Sequence, residues 1–228
     1  MSKRLLVYAE GQTEEFFVNR VLKNHLLTHG VQVERPILAA TSPNPSRQRG
    51  GFVNWPAVEA DLRMLFAQDP DPDLRFTALL DVYAVPDAVP GYVKSTAGQR
   101  SALEVAGIEA AWAKHFNEPR FVPYLQRHEF EALVLAHPPA IKTIFPKHAS
   151  SLATLEASLT LFSSAEDIDD GPGTHPSARL EQAIPTYSAL KASNSYFVVS
   201  EAGLQNIRPR CPRFDAWLQF WERWGDTK

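Results

Sequence analysis

Leu5-Leu6-Val7-Tyr8-Ala9-Glu10-Gly11-Gln12-Thr13-Glu14-Glu15 sets the architecture of the chain. An apolar run of strand length ends on a carboxylate, a glycine follows, and a helical pattern begins. The run Phe76-Thr77-Ala78-Leu79-Leu80 ends the same way on Asp81. In an open α/β sheet, ligands bind in the crevice beyond the carboxyl ends of the strands. Glu10 and Asp81 are therefore expected at matching strand ends in such a crevice. Two carboxylates there suggest a site for a hard cation.

The pattern on either side alternates strand with helix. Thr13 is placed to cap a helix with Glu14 and Glu15 in its first turn. Phe17, Val21, Leu22 and Leu26 give that helix an apolar stripe through about Leu27, and Gly30 ends it. A second strand is predicted over 31–38, a surface loop over 41–54, a helix over 55–67 and a third strand over 76–82. A helix over 101–116, a fourth strand over 121–125 and a segment at 128–135 follow. This order argues for a mainly parallel sheet flanked by helices, and the continuous apolar run of the third strand suits a sheet covered on both faces. Beyond about Pro138 the pattern turns helical, with predicted helices at 151–162, 178–184 and 214–224. Residues 1–138 are thus expected to form an α/β core and 139–228 a C-terminal helical cap packed on it.

The bulk properties fit a folded chain. It has 228 residues, 44% hydrophobic and 21% charged, enough to bury a substantial core. The net charge of −3 gives no support to a broadly basic nucleic-acid face, although it leaves room for a local one. With Cys211 as the only cysteine, no intrachain disulfide and no thiolate zinc cage can form. No apolar stretch approaches a membrane span of about 20 residues, and Met1-Ser2-Lys3-Arg4 lacks signal-peptide features. A cytoplasmic chain is expected.

Several groups invite a chemical role, each with a plainer explanation beside it. Mg²⁺ takes oxygen ligands, usually one or two protein carboxylates completed by water and phosphate. Glu10 and Asp81 meet that need; the competing explanation is a helix cap and a turn. The helix dipole alone explains Glu14 and Glu15, although the side chain nearer the crevice could support a ligand there. In Arg127-His128-Glu129-Phe130-Glu131, Glu129 points at the same crevice if the fourth strand ends there; otherwise the stretch is a solvated turn with Arg127 charge-paired. Arg47 and Arg49, beside Gly50 and Gly51, suit a phosphate backbone, as does the patch Arg208, Arg210 and Arg213, although solvated loops explain both. The acidic run from Asp167 to Gly171 lacks the ligand spacing of a calcium loop. Trp217, Phe220, Trp221 and Trp224 share a helical face and are expected in the core. GxxxxGK[ST], HExxH, GxSxG and strand-anchored GxGxxG patterns are all absent, so the chain lacks an evident ATP-hydrolysing centre.

Taken together, these residues resemble a bacterial family of Toprim-like proteins of unknown function. The resemblance rests on Glu10-Gly11-Gln12-Thr13-Glu14-Glu15, Asp81-Val82-Tyr83-Ala84-Val85-Pro86 and the segment Arg120 to Leu133 with its His128-Glu129-Phe130-Glu131. It continues through Asp167–Pro172 and Ile207 to Trp217. Toprim domains occur in topoisomerases, primases and OLD-type nucleases. The resemblance implies a Toprim-like fold, a metal-associated glutamate carried by Glu10 and an aspartate motif carried by Asp81. The second aspartate of a D-x-D pattern is Tyr83 here, and an expected lysine is Ala178.

The leading expectation is a Mg²⁺- or Mn²⁺-dependent nuclease that cleaves DNA or RNA phosphodiesters. Glu10, Asp81 and Glu129 would hold the metal, Glu131 would assist, and His128 would orient or shuttle a proton. Arg47, Arg49 and Arg127 would contact nucleic acid. The resemblance also implies phage-defence or mobile-element settings with an ATPase partner. The alternative is a catalytically weak binding or regulatory subunit of an ATPase complex.

Overall fold

The computed structural model describes residues 3–39, 54–83, 85, 88–92, 102–169 and 173–227. β1 (Lys3–Ala9) leads into α1 (Gln12–Phe17), a π-helical turn (Val18–Leu22) and α2 (Lys23–Leu27), which continue as one rod. β2 (Val31–Val33), β3 (Ile37–Leu38), α3 (Trp55–Gln68), β4 (Leu74–Asp81) and α4 (Ala102–Phe116) follow. Then come β5 (Phe121–Val122), β6 (Leu125–Gln126), α5 (Glu131–Leu135), α6 (Pro138–Ile144), α7 (Ala149–Leu159) and α8 (Pro176–Ala183). The described chain closes with α9 (Lys191–Ala202), α10 (Leu204–Ile207) and α11 (Pro212–Asp226).

The fold is α/β, as the alternation predicts, and every pairing in its six-stranded sheet is parallel among the described residues. β1 and β4 lie at the centre, in register from Arg4↔Leu74 to Ala9↔Leu79. The second and fourth strands of the sequence reading each divide in two. β2 and β3 pair with successive parts of β1, separated by Glu34-Arg35-Pro36. β5 and β6 pair with successive parts of β4, separated by Pro123-Tyr124. Proline contributes no N–H to a ladder and is tolerated at sheet edges, where both breaks fall.

Both faces of the sheet are covered, which is why its central strands are nearly continuous apolar runs. Tyr8, Phe76, Ala78 and Leu80 pack against α3 and α4 through Trp55, Val58, Leu62, Val105, Ile108 and Trp112. Leu5, Val7 and Leu79 face the other layer, which joins Phe17 and Leu22 of the rod to Leu133, Leu152, Val198, Phe214 and Trp221. That cluster draws side chains from both sides of Pro138.

Helix ends follow local chemistry, with two corrections. Gly11, in extended conformation, stands at the first N-terminus, and Thr13 is already inside the helix. Glu14 Oε2 accepts the Gly11 N–H at 2.9 Å, the reciprocal half of a capping box. α11 begins at Pro212, and its first free amides, Arg213 N and Phe214 N, donate to the buried Glu166 carboxylate at 2.8 and 3.1 Å. A distant carboxylate thus supplies the cap that Cys211 cannot. Gly30, at φ +78°, closes the rod as expected.

α6, α9 and α10 have no counterpart in the sequence prediction. α9 is hidden because its buried face carries a polar side chain. Ser195 is fully buried, within 2.7 Å of the Tyr187 hydroxyl and 3.1 Å from Glu131 Oε1. Such a residue breaks the apolar period that marks a helix.

The aromatic face of α11 is buried only in part. Trp217 and Trp221 are inside, with Trp217 Nε1 donating to Thr77 Oγ1 at 3.1 Å, but Phe220 is 40% exposed. The buried stripe also takes in Phe214 and Leu218, which moves its centre about a third of a turn away from Phe220. Among the described residues no helix is long and apolar enough to cross a membrane.

Trp221→Ala is expected to cost about 3–5 kcal/mol in urea unfolding, because the fully buried ring leaves a cavity. Phe220→Ala should cost less than about 1 kcal/mol. Equal losses would contradict this burial pattern.

Candidate functional site

The central strand pair delivers Glu10 and Asp81 to the same sheet end. Glu10 extends the ladder beyond β1: its N–H donates to Leu79 O at 3.1 Å, and its Oε2 accepts the Asp81 N–H at 2.7 Å. Asp81 shares the face of Thr77 and Leu79. Its Oδ1 is buried and has no hydrogen-bond partner among the described residues. Glu14, from the first turn of α1, and Glu131, the first residue of α5, join them in a set of mutually repelling acids. Both are buried.

Lys191 is the cation of this set. It opens α9, and its Nζ lies 2.9 Å from Glu131 Oε2, while Ser195 Oγ, one turn on, donates to Glu131 Oε1 at 3.1 Å. The absence of a lysine at Ala178 does not leave the site without an ammonium group. No local pattern marks Lys191, which reaches the acids only through the packing of α9. Glu14 did carry a signal, because its spacing from Gly11 is that of a capping box.

Glu129 takes a different position. Its Oε2 accepts Ser177 N at 2.8 Å and its Oε1 accepts Ser177 Oγ at 3.0 Å, so it caps α8. It still acts electrostatically on Glu10 and Glu131. Among the described residues no three of Glu10, Glu14, Asp81, Glu129 and Glu131 bring one carboxylate oxygen each within 4.8 Å of one another. His128 adopts a left-handed backbone (φ +63°) and is buried, with Nδ1 3.5 Å from Asp169 Oδ2 and no hydrogen-bond partner at Nε2 among the described residues. Arg127 pairs with Asp167. Tyr83 is partly exposed, its hydroxyl 3.2 Å from His175 Nδ1.

Arg47 and Arg49 lie outside the described residues. The patch of Arg208, Arg210 and Arg213 is taken up within the fold. Arg208 pairs with Asp215 and Glu222, Arg210 donates to Phe162 O at 3.1 Å, and Arg213 pairs with Glu109 at 2.7 Å.

Burial dominates the electrostatics. It pushes Glu10 up to about 7, against the stabilising Asp81 amide, and Glu14 up to about 8, with Glu10 adding repulsion. Asp81 is raised well above the usual range by burial and by Glu10 and Glu14; Glu131 is raised by burial although Lys191 opposes it. Burial alone would lower Lys191, but Glu131 and Asp81 hold it above its ordinary value. Burial and Arg127 lower His128 to about 4, so its imidazole is neutral at pH 7. Glu10 and Asp81 are nevertheless only half-buried as residues, and Glu10 opens onto a crevice. Glu10, Gln12, Thr13, Phe16, Leu38, Ser188 and Lys191 border a cavity of about 770 Å³ there.

An all-oxygen donor set fits a hard cation such as Mg²⁺ or Mn²⁺. The Asp81 oxygen, without a partner among the described residues, and the excess of acids over Lys191 fit the same kind of ion.

Residues 9–222 match the family described as Domain of unknown function (DUF4276). The chain belongs to this family. No curated protein and no solved structure matches it. The DUF4276 match takes in Glu10, Glu14, Asp81, Glu129, Glu131 and Lys191, so the whole acidic set lies within the family's span.

Two expectations follow for this DUF4276 protein. Glu10 and Glu14 hold protons to about pH 7 and 8 when folded but release them near 4.5 when unfolded. The folded state binds more protons across that window, so stability falls as pH rises through it. The neutral His128 acts oppositely, but below 6.5. In chelator, the unfolding free energy should fall by on the order of 2 kcal/mol from pH 6.5 to 8. Glu14→Gln should flatten that slope; an unchanged slope would remove Glu14 from the titrating set.

The second concerns the buried ion pair. Lys191→Met should destabilise the protein by about 2 kcal/mol, below the usual cost of breaking a buried pair because Lys191 is 38% exposed. Adding Glu131→Gln should recover part of the loss, as a double-mutant cycle would read.

Proposed function

We propose that the chain is a Mg²⁺- or Mn²⁺-dependent phosphodiesterase of Toprim type that acts on nucleic acid. The observation that carries this reading is the meeting of Glu10, Asp81, Glu14 and Glu131 with one lysine at the carboxyl edge of a parallel sheet, beside an open crevice. Glu10 and Asp81 would hold the ion, with Glu14 and Glu131 supplying further negative charge. A bound divalent ion polarises a phosphoryl oxygen and makes water a nucleophile at neutral pH. Lys191 would neutralise a phosphate oxygen entering from the cavity. Glu129 supports the site by fixing α8, and His128 is a neutral group behind it. Because Glu10 and Glu14 carry protons near neutrality, loading the site would release protons.

Tyr83 in place of a second aspartate and the engagement of Glu129 by Ser177 favour a second reading, a catalytically weak subunit that targets or regulates an ATPase. Without a phosphate-binding loop, any ATP control would act through such a partner.

The pure chain, assayed with Mn²⁺ and Mg²⁺ on single- and double-stranded DNA and RNA, is expected to cleave at least one of them. Glu10→Gln and Asp81→Asn should fall to background with melting curves intact. ATP hydrolysis by the chain alone should be absent. Metal binding without cleavage, also in the presence of a candidate ATPase partner, would select the regulatory reading. Cleavage unchanged in both variants would defeat the acidic site.

A further inference from the structure

The rod and α11 meet at a second set of donor side chains. His25 lies on α2 and His29 in the turn just beyond it; Glu222 and Asp226 have the same spacing on α11. His25 Nε2 is 2.6 Å from Glu222 Oε1, and His29 Nδ1 is 3.2 Å from Asp226 Oδ1. The two imidazole centroids are 5.2 Å apart. One donor atom from each of His25, His29 and Glu222 lies within 4.8 Å of the other two. Tetrahedral bonds of about 2.0–2.1 Å place donors about 3.4 Å apart, so small side-chain rotations would close this trio on an ion.

The surroundings hold these donors in place. Gly225 lets the end of α11 press on the turn: a Cβ there would come within 2.1 Å of His29 O. Arg208 grips both oxygens of Glu222 at 2.6 and 3.0 Å, and Asp215 engages Arg208 in turn. Hydrogen bonds of this kind orient ligating carboxylates. Counting Glu222, Asp226 and Asp215 against Arg208 and against Lys3, whose Nζ donates to Gly225 O at 3.3 Å, leaves one negative charge in excess for a cation. Glu222 is 12% exposed, whereas His25 and His29 are 25% and 28% exposed, so an ion has a route in.

Two imidazole nitrogens with carboxylate oxygens suit Zn²⁺ or a similar first-row ion and not Mg²⁺. At about 1.5 Å per helical residue, His25 is roughly 16 Å along the rod from Glu14. The set is therefore separate from the acidic crevice and does not depend on its proposed chemistry. We propose that His25, His29 and Glu222, with Asp226 as fourth donor, form a Zn²⁺-type site that clasps the N-terminal rod to the C-terminal helix.

The test is Zn²⁺ titration of the full, metal-stripped chain by calorimetry and thermal melting, in an Asp81→Asn background that disables the crevice. One Zn²⁺ per chain is expected, with a rise in Tm of about 5–10 °C at 100-fold excess over Kd. Co²⁺ should give the intense visible absorption of a tetrahedral N/O site. His25→Asn with His29→Asn should lose at least about 100-fold in affinity. If that double variant does not fold, His29→Gln alone, on the surface turn, should give the same loss with an unchanged metal-free Tm. No zinc binding, binding indifferent to both histidines, or an equal Tm rise with Mg²⁺ would each overturn the proposal.

Discussion

The parallel pairing of β1 with β4 is the constraint on which the rest depends. Six Cα pairs fix its register. Apolar side chains on both faces make a one-residue slip costly, because it would turn each set to the wrong layer. The Glu10 carboxylate then takes the Asp81 amide and continues the ladder past the end of β1. This hydrogen bond ties the register of the core to the position of the acids. A sheet that buries its hydrophobes correctly also sets Glu10 and Asp81 side by side.

Holding acids there opposes stability. Burial drives the carboxylates of Glu10, Glu14 and Asp81 toward their protonated forms, and each one discourages ionisation of the next. The fold offsets part of this cost with the amides of Gly11 and Asp81, the Ser195 hydroxyl and the Lys191 ammonium. The Asp81 Oδ1 remains without a partner among the described residues. Perturbed acids in an open crevice are what functional sites concentrate, and this imbalance supports the proposed cation site better than any one residue does.

The same residue type also does structural work nearby. Glu129 caps α8 and Glu166 caps α11, each by accepting amides at a helix N-terminus. A carboxylate in a charged motif can therefore serve either a helix or an ion. Glu129-Phe130-Glu131 shows both outcomes two residues apart: Glu129 turns to Ser177, while Glu131 is drawn in beneath Lys191. Arg127 and Arg208, attractive as phosphate contacts in the sequence, are engaged by Asp167 and by Asp215 with Glu222.

Local sequence determined the elements whose physics is local. The apolar runs ending on Glu10 and Asp81 specified strands, Gly30 ended the rod, and local sequence specified the helices α3, α4 and α11. These follow from side-chain period and backbone preference within a few residues. The tertiary structure decided what distant partners decide. It split the edge strands at Pro36 and Pro123, hid α9 behind the polar Ser195, and brought Lys191 to acids far away in the chain. It also sent Glu129 to a helix cap and joined His25 and His29 to Glu222. The reason is the range of the interactions: hydrogen-bond capping and charge pairing depend on which surfaces are packed together, and no short window of sequence contains both partners.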